Sequence, residues 1–213
     1  MPDPSTVSAV LIVRNEARNL EACLSSLRWA DEIVVLDSGS TDGTREIARR
    51  FTPHVHDRPF DDFASQKNAA VALSTGDWVL VVDADERIPP ALAEEVRRAS
   101  SAPGAAGYRI PRAVRVFGRR VRFGGCQSDA PVRLWRRGAG RFEGKVHEEA
   151  RIAGAVGRLR TPMEHHTTPT LAHYQEKLNR YTDLEAEGIS ARGPVGAWRL
   201  VLPPLARFLQ VYV

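Results

Sequence analysis

The chain has 213 residues, which suits one domain with a small appendage. Its hydrophobic content of 43% and charged content of 26% are typical of a globular protein and exclude a disordered or collagen-like chain. The formal net charge of +4 predicts an acidic partner, such as a nucleotide, a phosphorylated glycan or an anionic membrane surface. A nucleic-acid partner is not expected, because no recognition motif for nucleic acid is found in the sequence.

Cysteine use and the N-terminal sequence bear on the compartment. The two cysteines, Cys23 and Cys126, form no disulfide framework or zinc motif, and Cys23 lies in a helical pattern that predicts burial. Neither a signal peptide nor a membrane-spanning apolar stretch is expected. We therefore predict a cytoplasmic protein, with peripheral attachment to the inner face of the cell membrane as the alternative.

Buried strands alternate with amphipathic helices in the first half of the chain. Continuous apolar runs predict the strands, and apolar residues at helical spacing predict the helices. Such alternation is typical of βαβ units around a parallel sheet, that is, of an α/β fold. The predicted strands cover residues 7–13, 33–36 and 78–82 with a short strand near Val55, and the predicted helices cover 19–27, 44–51, 63–73 and 89–99.

Polar side chains follow three of these strands directly. Asn15-Glu16 follows the first strand, Asp37 ends the second, and Asp83-Ala84-Asp85 follows the strand of residues 78–82. Ligands of parallel sheets bind at the carboxyl ends of the strands. One such carboxylate is usually a helix cap, but three strand ends with polar groups at one edge predict a binding site.

The composition changes near residue 103, after a Pro- and Gly-rich break. We predict three parts: an α/β half over 1–103, a mixed β region over 104–168, and C-terminal helices over 169–213. Arginines crowd residues 109–141, which fits a phosphorylated or lipid-linked partner, an anionic membrane surface or merely a solvated face. The apolar segment 195–213 could lie in a membrane interface, dock on the core or form a homodimer.

The two carboxylates of Asp83 and Asp85 can project from one turn towards a hard cation. Mg²⁺ and Mn²⁺ accept one or two carboxylates together with substrate phosphates. The pattern at the end of a buried strand therefore predicts a metal site for Mg²⁺ or Mn²⁺. A second pair, His165-His166, lacks a third ligand at a suitable spacing and is interpreted as a loop pair.

Four ordered motifs resemble those of family-2 glycosyltransferases, which are inverting enzymes of the GT-A fold. The motifs are residues 11–16 (LIVRNE), 34–44 (VVLDSGSTDGT), 66–68 (QKN) and 76–86 (GDWVLVVDADE). The later residues 141–148 (RFEGKVHE) and the C-terminal helices are similar to the subgroup that includes lipopolysaccharide-core glucosyltransferases.

The resemblance implies that residues 1–103 are the nucleotide-sugar-binding half and residues 104–168 the acceptor-side region. It also implies a role for each matching residue. Val13 and the Asn15-Glu16 turn would line the nucleotide pocket, Asp37 would reach the base or ribose, and Lys67 would approach the base or phosphates. Asp83 would hold the ribose or a metal-bound water, and Asp85 would ligate the metal directly. For Lys67 a solvated helix face is the alternative, and for Asp42 turn and cap chemistry is favoured.

An inverting transfer needs a base for the proton of the acceptor hydroxyl. The family has its base downstream of the metal motif, where residues 146–149 form a compact polar cluster. Glu148 is the favoured candidate and Asp129 the second, while His147 could contact metal or phosphate.

The predicted function is transfer of a sugar, with a UDP-sugar as default donor, to a saccharide or lipid-linked glycan such as lipopolysaccharide core. A sugar-nucleotide nucleotidyltransferase is one alternative, but it should carry a Gly-rich basic loop after the first strand, where this chain has Arg14-Asn15-Glu16. A non-catalytic nucleotide-sugar-binding module on the same fold is the other.

Overall fold

The architecture is taken from a computed structural model of the chain. The described residues are 5–121, 129–144, 148–168, 170–172, 174–175, 178–179, 182–183, 186, 196, 198 and 201–212. Cys126, His147 and many residues of the predicted C-terminal helices over 169–213 lie outside them.

The chain forms two compact units. The first lies within residues 1–113 and 129–165, and the second within residues 114–128 and 166–213. The first unit therefore combines the α/β half with several strands from the following β-rich region. The three-part division inferred from the sequence stays a prediction.

A seven-stranded sheet forms the centre of the first unit, in the order β12-β6-β9-β4-β1-β2-β3. β1, β2, β3 and β4 run parallel, whereas β9 is antiparallel to both β4 and β6. Continuous apolar runs predict buried strands, and every side chain of β4 is buried. The strands are β1 (Val7–Val13), β2 (Glu32–Asp37), β3 (Val55–Asp57), β4 (Trp78–Val81), β6 (Gly107–Arg109), β9 (Val132–Arg136) and β12 (Val156–Arg158).

Four helices accompany this sheet, close to their predicted positions: α1 (Ala17–Ser25), α2 (Thr44–Arg49), α3 (Phe63–Ala72) and α4 (Pro90–Ser101). The α1 helix buries Leu20, Cys23 and Leu24 in the core, which confirms the predicted burial of Cys23. The α3 helix begins after Asp62, whose side chain accepts a hydrogen bond from the backbone N–H of Ser65.

Shorter strands complete the described β structure: β5 (Glu86–Arg87), β7 (Arg112–Val116), β8 (Arg119–Arg120), β10 (Gly140–Glu143), β11 (Glu149–Ile152) and β13 (Met163–Thr168). In the first unit, β10 and β11 form an antiparallel ribbon, and β13 pairs antiparallel with β5. The β-rich character predicted after residue 103 is confirmed.

The second unit contains the pairing of β7 with β8 and the helix α5 (Leu202–Tyr212). Four apolar side chains of α5 are exposed: Leu202, Leu205, Phe208 and Leu209. Among the helices that the structure describes, none has both the length and the apolar character required to cross a bilayer.

The approach of β1 to the segment before β4 predicts a large effect of Gly76→Ala. A Cβ at Gly76 would lie 2.6 Å from Ser8 Oγ and 3.0 Å from the Ser8 backbone nitrogen. Because backbone atoms cannot move aside cheaply, we expect a loss of about 1–3 kcal/mol in the free energy of unfolding. Chemical denaturation monitored by circular dichroism measures it.

Gly104→Ala is the matched control, since its Cβ would meet only the Tyr108 hydroxyl oxygen, at 4.0 Å. Equal stability of Gly76→Ala and Gly104→Ala would contradict the predicted packing of the sheet.

Candidate active site

The three predicted strand ends lie on neighbouring strands of the sheet. Val13 at the end of β1 is in register with Asp37 at the end of β2. On the other side of β1, the backbone N–H of Val82 donates to Val10 O. The turn after β4 therefore lies at the same edge of the sheet as the ends of β1 and β2. The carboxyl edge of the sheet therefore brings the predicted site residues of three strands together.

Asp37 organises the loop that follows β2. Its side chain is fully buried, and Oδ1 accepts hydrogen bonds from the backbone of Gly39 and Ser40 and from Arg45 Nε, at 2.8–2.9 Å. Burial acts to raise the pKa of Asp37, but the hydrogen bonds from Ser40 and Arg45 outweigh it and hold the pKa below its usual range. Oδ2 is buried without a hydrogen-bond partner among the described residues.

The loops after β1 and β2 are joined by hydrogen bonds. Asn15, which has a positive φ of 56°, donates its backbone N–H to Ser40 Oγ and accepts from the Thr41 backbone through Oδ1. The backbone N–H of Glu16 donates to Thr44 Oγ1 at 2.8 Å. Val13, Asn15 and Glu16, all predicted to line a nucleotide pocket, thus stand beside the Asp37 loop.

Asp42 stabilises the same loop locally. Its carboxylate accepts from the backbone N–H groups of Thr44 and Ala17, at 3.0 and 3.2 Å. The turn and cap role favoured for Asp42 is confirmed.

The acidic turn after β4 comprises residues 83–86 and is closed by reciprocal hydrogen bonds. The backbone N–H of Asp83 donates to Glu86 Oε2, and the backbone N–H of Glu86 donates to Asp83 O, both at 2.9 Å. Arg87 adds a bond from Nη1 to Ala84 O. Glu86, which is fully buried, therefore fixes the backbone that carries Asp83 and Asp85.

Asp83 lies between two cations. Lys67 Nζ is 3.2 Å from Asp83 Oδ1, and Arg133 Nη2 forms an ion pair with Asp83 Oδ2. Lys67 is buried on α3, with its ammonium 5.2 Å from the centre of the Phe142 ring. The alternative of a solvated helix face for Lys67 is therefore wrong, because its charge is held inside by carboxylates.

These contacts extend into a line of alternating charges that reaches both candidate bases. Lys67 Nζ also donates to Glu148 Oε1 at 2.9 Å, and Arg133 Nη2 donates to Glu86 Oε1 at 2.8 Å. Arg112 continues from Glu86, at 3.6 Å, to Asp129, at 2.6 Å. We call this set the charged chain: Glu148, Lys67, Asp83, Arg133, Glu86, Arg112 and Asp129.

Burial and charge act against each other along the charged chain. Burial would raise the pKa of Asp83, but the charges of Arg133 and Lys67 outweigh it and keep that pKa well below its usual range. For Glu86, burial dominates and raises the pKa, although Arg133 opposes this. Burial would lower the pKa of Arg133, but the carboxylates of Asp83 and Glu86 raise it, so the guanidinium stays charged.

Asp85 contacts a histidine that the sequence interpretation assigned to a loop. His165 Nε2 is 3.2 Å from Asp85 Oδ2, and His165 and His166 both lie in β13. The loop interpretation is wrong, because β13 pairs with β5 and places His165 opposite Glu86 in the register. His165 Nδ1 is buried without a hydrogen-bond partner in the part of the chain that is described.

The predicted metal site can be tested by its donor chemistry. No group of three or more Asp, Glu, His or Cys side chains among the described residues is arranged to hold an ion. Asp85 offers the carboxylate oxygen that Mg²⁺ and Mn²⁺ both accept, and the nearby His165 adds a nitrogen that suits the transition metal Mn²⁺ better than Mg²⁺. Asp83 fits less well as a direct ligand, because both its oxygens lie against cations.

Four residues of the site were missed by sequence reasoning: Glu86, Arg112, Arg133 and His165. Arg133 left a visible signal, since it interrupts the apolar strand β9 between Val132 and Leu134. A charge inside such a run predicts either an exposed edge or a buried ion pair.

Comparison with known proteins places these features in a family. The sequence model of glycosyl transferase family 2 matches residues 8–123. The lipopolysaccharide core biosynthesis glycosyltransferase LpsC of Rhizobium meliloti is 32% identical over 97% of this chain and 80% of its own length. A TPR repeat-containing protein of Synechococcus elongatus is 41% identical over 50% of this chain and 27% of its own length.

Solved structures share the fold. The structure of S. aureus TarS 1–349 has a TM-score of 0.57 and 19% identity, and the alignment covers 75% of this chain and 60% of TarS 1–349. TarS 1–349 in complex with UDP-GlcNAc has a TM-score of 0.56 and 17% identity over 75% of this chain and 58% of that one. The chain thus spans less than two thirds of these structures, and the likeness concerns architecture. With the family match and the shared architecture together, the chain belongs to glycosyl transferase family 2 and is a glycosyltransferase of the GT-A fold, as its sequence predicts.

Proposed function

We propose that this glycosyltransferase is an inverting enzyme that moves a sugar from a nucleoside-diphosphate donor, by default a UDP-sugar, to a glycan acceptor. The observation that carries the proposal is the Lys67 ammonium, which lies within 3.2 Å of Asp83 and within 2.9 Å of Glu148. One side chain thereby links the predicted donor-binding turn to the predicted base at the carboxyl edge of the sheet.

The donor would bind across the loops after β1 and β2. Asn15, Glu16 and Asp37 stand at this edge, and Asp37 Oδ2 is a buried acceptor atom without a hydrogen-bond partner among the described residues. Lys67 would approach the phosphates, because its ammonium lies beside Asp83 at the turn after β4.

Asp85 and His165 would hold Mg²⁺ or Mn²⁺. When bound there, the ion would neutralise charge on the diphosphate leaving group. In this assignment Asp83, engaged by Lys67 and Arg133, serves the ribose side or a water of the metal rather than the ion directly.

Glu148 is the favoured base for the acceptor hydroxyl. Ion pairs link Glu148 to the Asp83 carboxylate through one residue, Lys67. Asp129 is linked to the same carboxylate only through Arg112, Glu86 and Arg133 in succession. The same placement argues against a non-catalytic binding module, for which Glu148 should point away from the acidic turn. A nucleotidyltransferase is disfavoured by the glycine-free loop after β1.

The acceptor we propose is a saccharide or lipid-linked glycan such as lipopolysaccharide core. The relationship to LpsC, a glycosyltransferase of lipopolysaccharide core biosynthesis, supports it. The exposed apolar side chains of α5 are compatible with attachment to the inner face of the cell membrane, where a lipid-linked acceptor would lie.

Asp85→Ala should abolish metal-dependent donor binding. Calorimetric titration of UDP- and GDP-sugars with MnCl₂ or MgCl₂ should show the substitution weakening affinity at least about tenfold, or about 1.4 kcal/mol. In EDTA the variant and the parent should bind alike, because only the metal contribution is lost.

Glu94→Ala, at an exposed position of α4, is the control and should bind as the parent does. If no nucleotide-sugar binds the parent protein with either metal, the donor assignment fails. If Asp85→Ala keeps the metal effect, the ion belongs elsewhere.

Glu148→Gln should separate binding from chemistry. We expect donor affinity to stay within about threefold while the transfer rate falls about 10²- to 10⁴-fold, because an amide cannot take the acceptor proton. Transfer to a panel of lipopolysaccharide-core saccharides, measured by mass spectrometry, supplies the rate.

Glu149→Gln is the matched control, an exposed neighbouring carboxylate whose loss should leave transfer intact. Retained turnover in Glu148→Gln would refute that assignment, and Asp129→Asn would then be tested as the base.

A further inference from the structure

We propose that Arg133 is a positioning residue, which holds the Asp83 carboxylate in the orientation that donor binding requires. The inference rests on the proposed function only in that the acidic turn binds the donor. It assigns to a residue outside the predicted motifs the task of orienting that carboxylate.

Arg133 is unusual for its place in the fold. It lies in β9, between β4 and β6, and its exposure is only 4%. Its neighbours Val132, Leu134 and Trp135 are all buried. A guanidinium removed from water is tolerated only when carboxylates compensate its charge and accept its hydrogen bonds.

The compensating carboxylates are both in the acidic turn. Arg133 Nη2 contacts Asp83 Oδ2 and lies 2.8 Å from Glu86 Oε1. Glu86 uses its other oxygen, Oε2, to accept the backbone N–H of Asp83 at 2.9 Å. Arg133 therefore acts on Asp83 twice, directly on the carboxylate and through Glu86 on the backbone.

Lys67 completes the restraint from the other side. With Lys67 Nζ at Oδ1 and Arg133 Nη2 at Oδ2, the two oxygens of Asp83 are held in fixed directions. Without Arg133, Asp83 would keep Lys67 as its ion-pair partner, Glu86 would keep Arg112 at 3.6 Å, and no described cation would bridge the two carboxylates. The Asp83 carboxylate would then lose one of the two contacts that fix its orientation.

A stability role alone would not need this arrangement. Buried ion pairs are often replaceable by apolar side chains without loss of stability. The orientation that Arg133 gives to the Asp83 carboxylate, in contrast, would be lost when Arg133 is replaced. The two roles therefore predict different results for the folded variant: unchanged ligand affinity if Arg133 only stabilises, weakened affinity if it positions.

The test measures UDP and GDP binding by calorimetry in MnCl₂, together with the melting temperature of each protein. Arg133→Lys keeps the charge, but one ammonium cannot reproduce the reach of the guanidinium to both carboxylates. We expect at least a tenfold loss of nucleotide affinity in Arg133→Lys. Arg97→Lys is the matched control, since Arg97 lies on α4 and donates to Trp29 O. The Arg97→Lys protein should bind nucleotide as the parent does.

A double-variant cycle tests whether the effect passes through Asp83. In an Asp83→Asn background, where the oriented carboxylate is already lost, Arg133→Lys should weaken binding less than about twofold. If Arg133→Lys does not fold, Arg133→Met combined with Glu86→Met replaces the buried pair by apolar side chains, and the same comparison with Asp83→Asn applies.

The outcomes separate the two proposals. A parent protein that binds neither UDP nor GDP refutes the proposed function. A parent protein that binds, with Arg133 variants of equal affinity or with losses that add fully to that of Asp83→Asn, overturns the positioning role and leaves the proposed function standing.

Discussion

The site depends on how the negative charge of Asp83 is balanced inside the protein. Lys67 from α3 and Arg133 from β9 approach its two oxygens from different elements. Along the charged chain four carboxylates meet three cations, so every member contacts a partner of opposite charge. Because burying any of these ions without a partner is costly, helix, strands and turn can adopt this arrangement only together. The fold and the site are therefore specified by the same contacts.

Much of the fold follows from local sequence patterns. The apolar runs at residues 7–13 and 33–36 became β1 and β2 with nearly the predicted bounds, and helix α3 ends within one residue of its prediction. The strand ends could also be predicted, because parallel strands deliver their carboxyl ends to one edge. This reasoning from the sequence identified Asp37, Asp83 and Asp85 as candidate site residues.

The partners of these carboxylates could not be found in that way. Arg133 and Asp83 are 50 residues apart, and His165 and Asp85 are 80 apart. Their meeting depends on β9 inserting antiparallel beside β4 and on β13 pairing with β5, and periodicity within a strand carries no information on its neighbours. For this reason His165 was wrongly assigned to a loop, and Arg133 was not assigned to the site.

Helix α3 carries Lys67 and also holds β10, the strand of the ribbon that precedes Glu148. The side chain of Asn68 donates to Phe142 O and accepts from the Phe142 N–H, at 2.9 and 2.8 Å. Both bonds go to the main chain of β10, so they do not depend on which side chains the ribbon displays. Substitution of exposed residues such as Arg141 and Glu143 would therefore leave both hydrogen bonds between β10 and α3 in place. The position of β10 on α3, and with it the ribbon next to Lys67, therefore depends on one amide side chain and not on the exposed face of the ribbon.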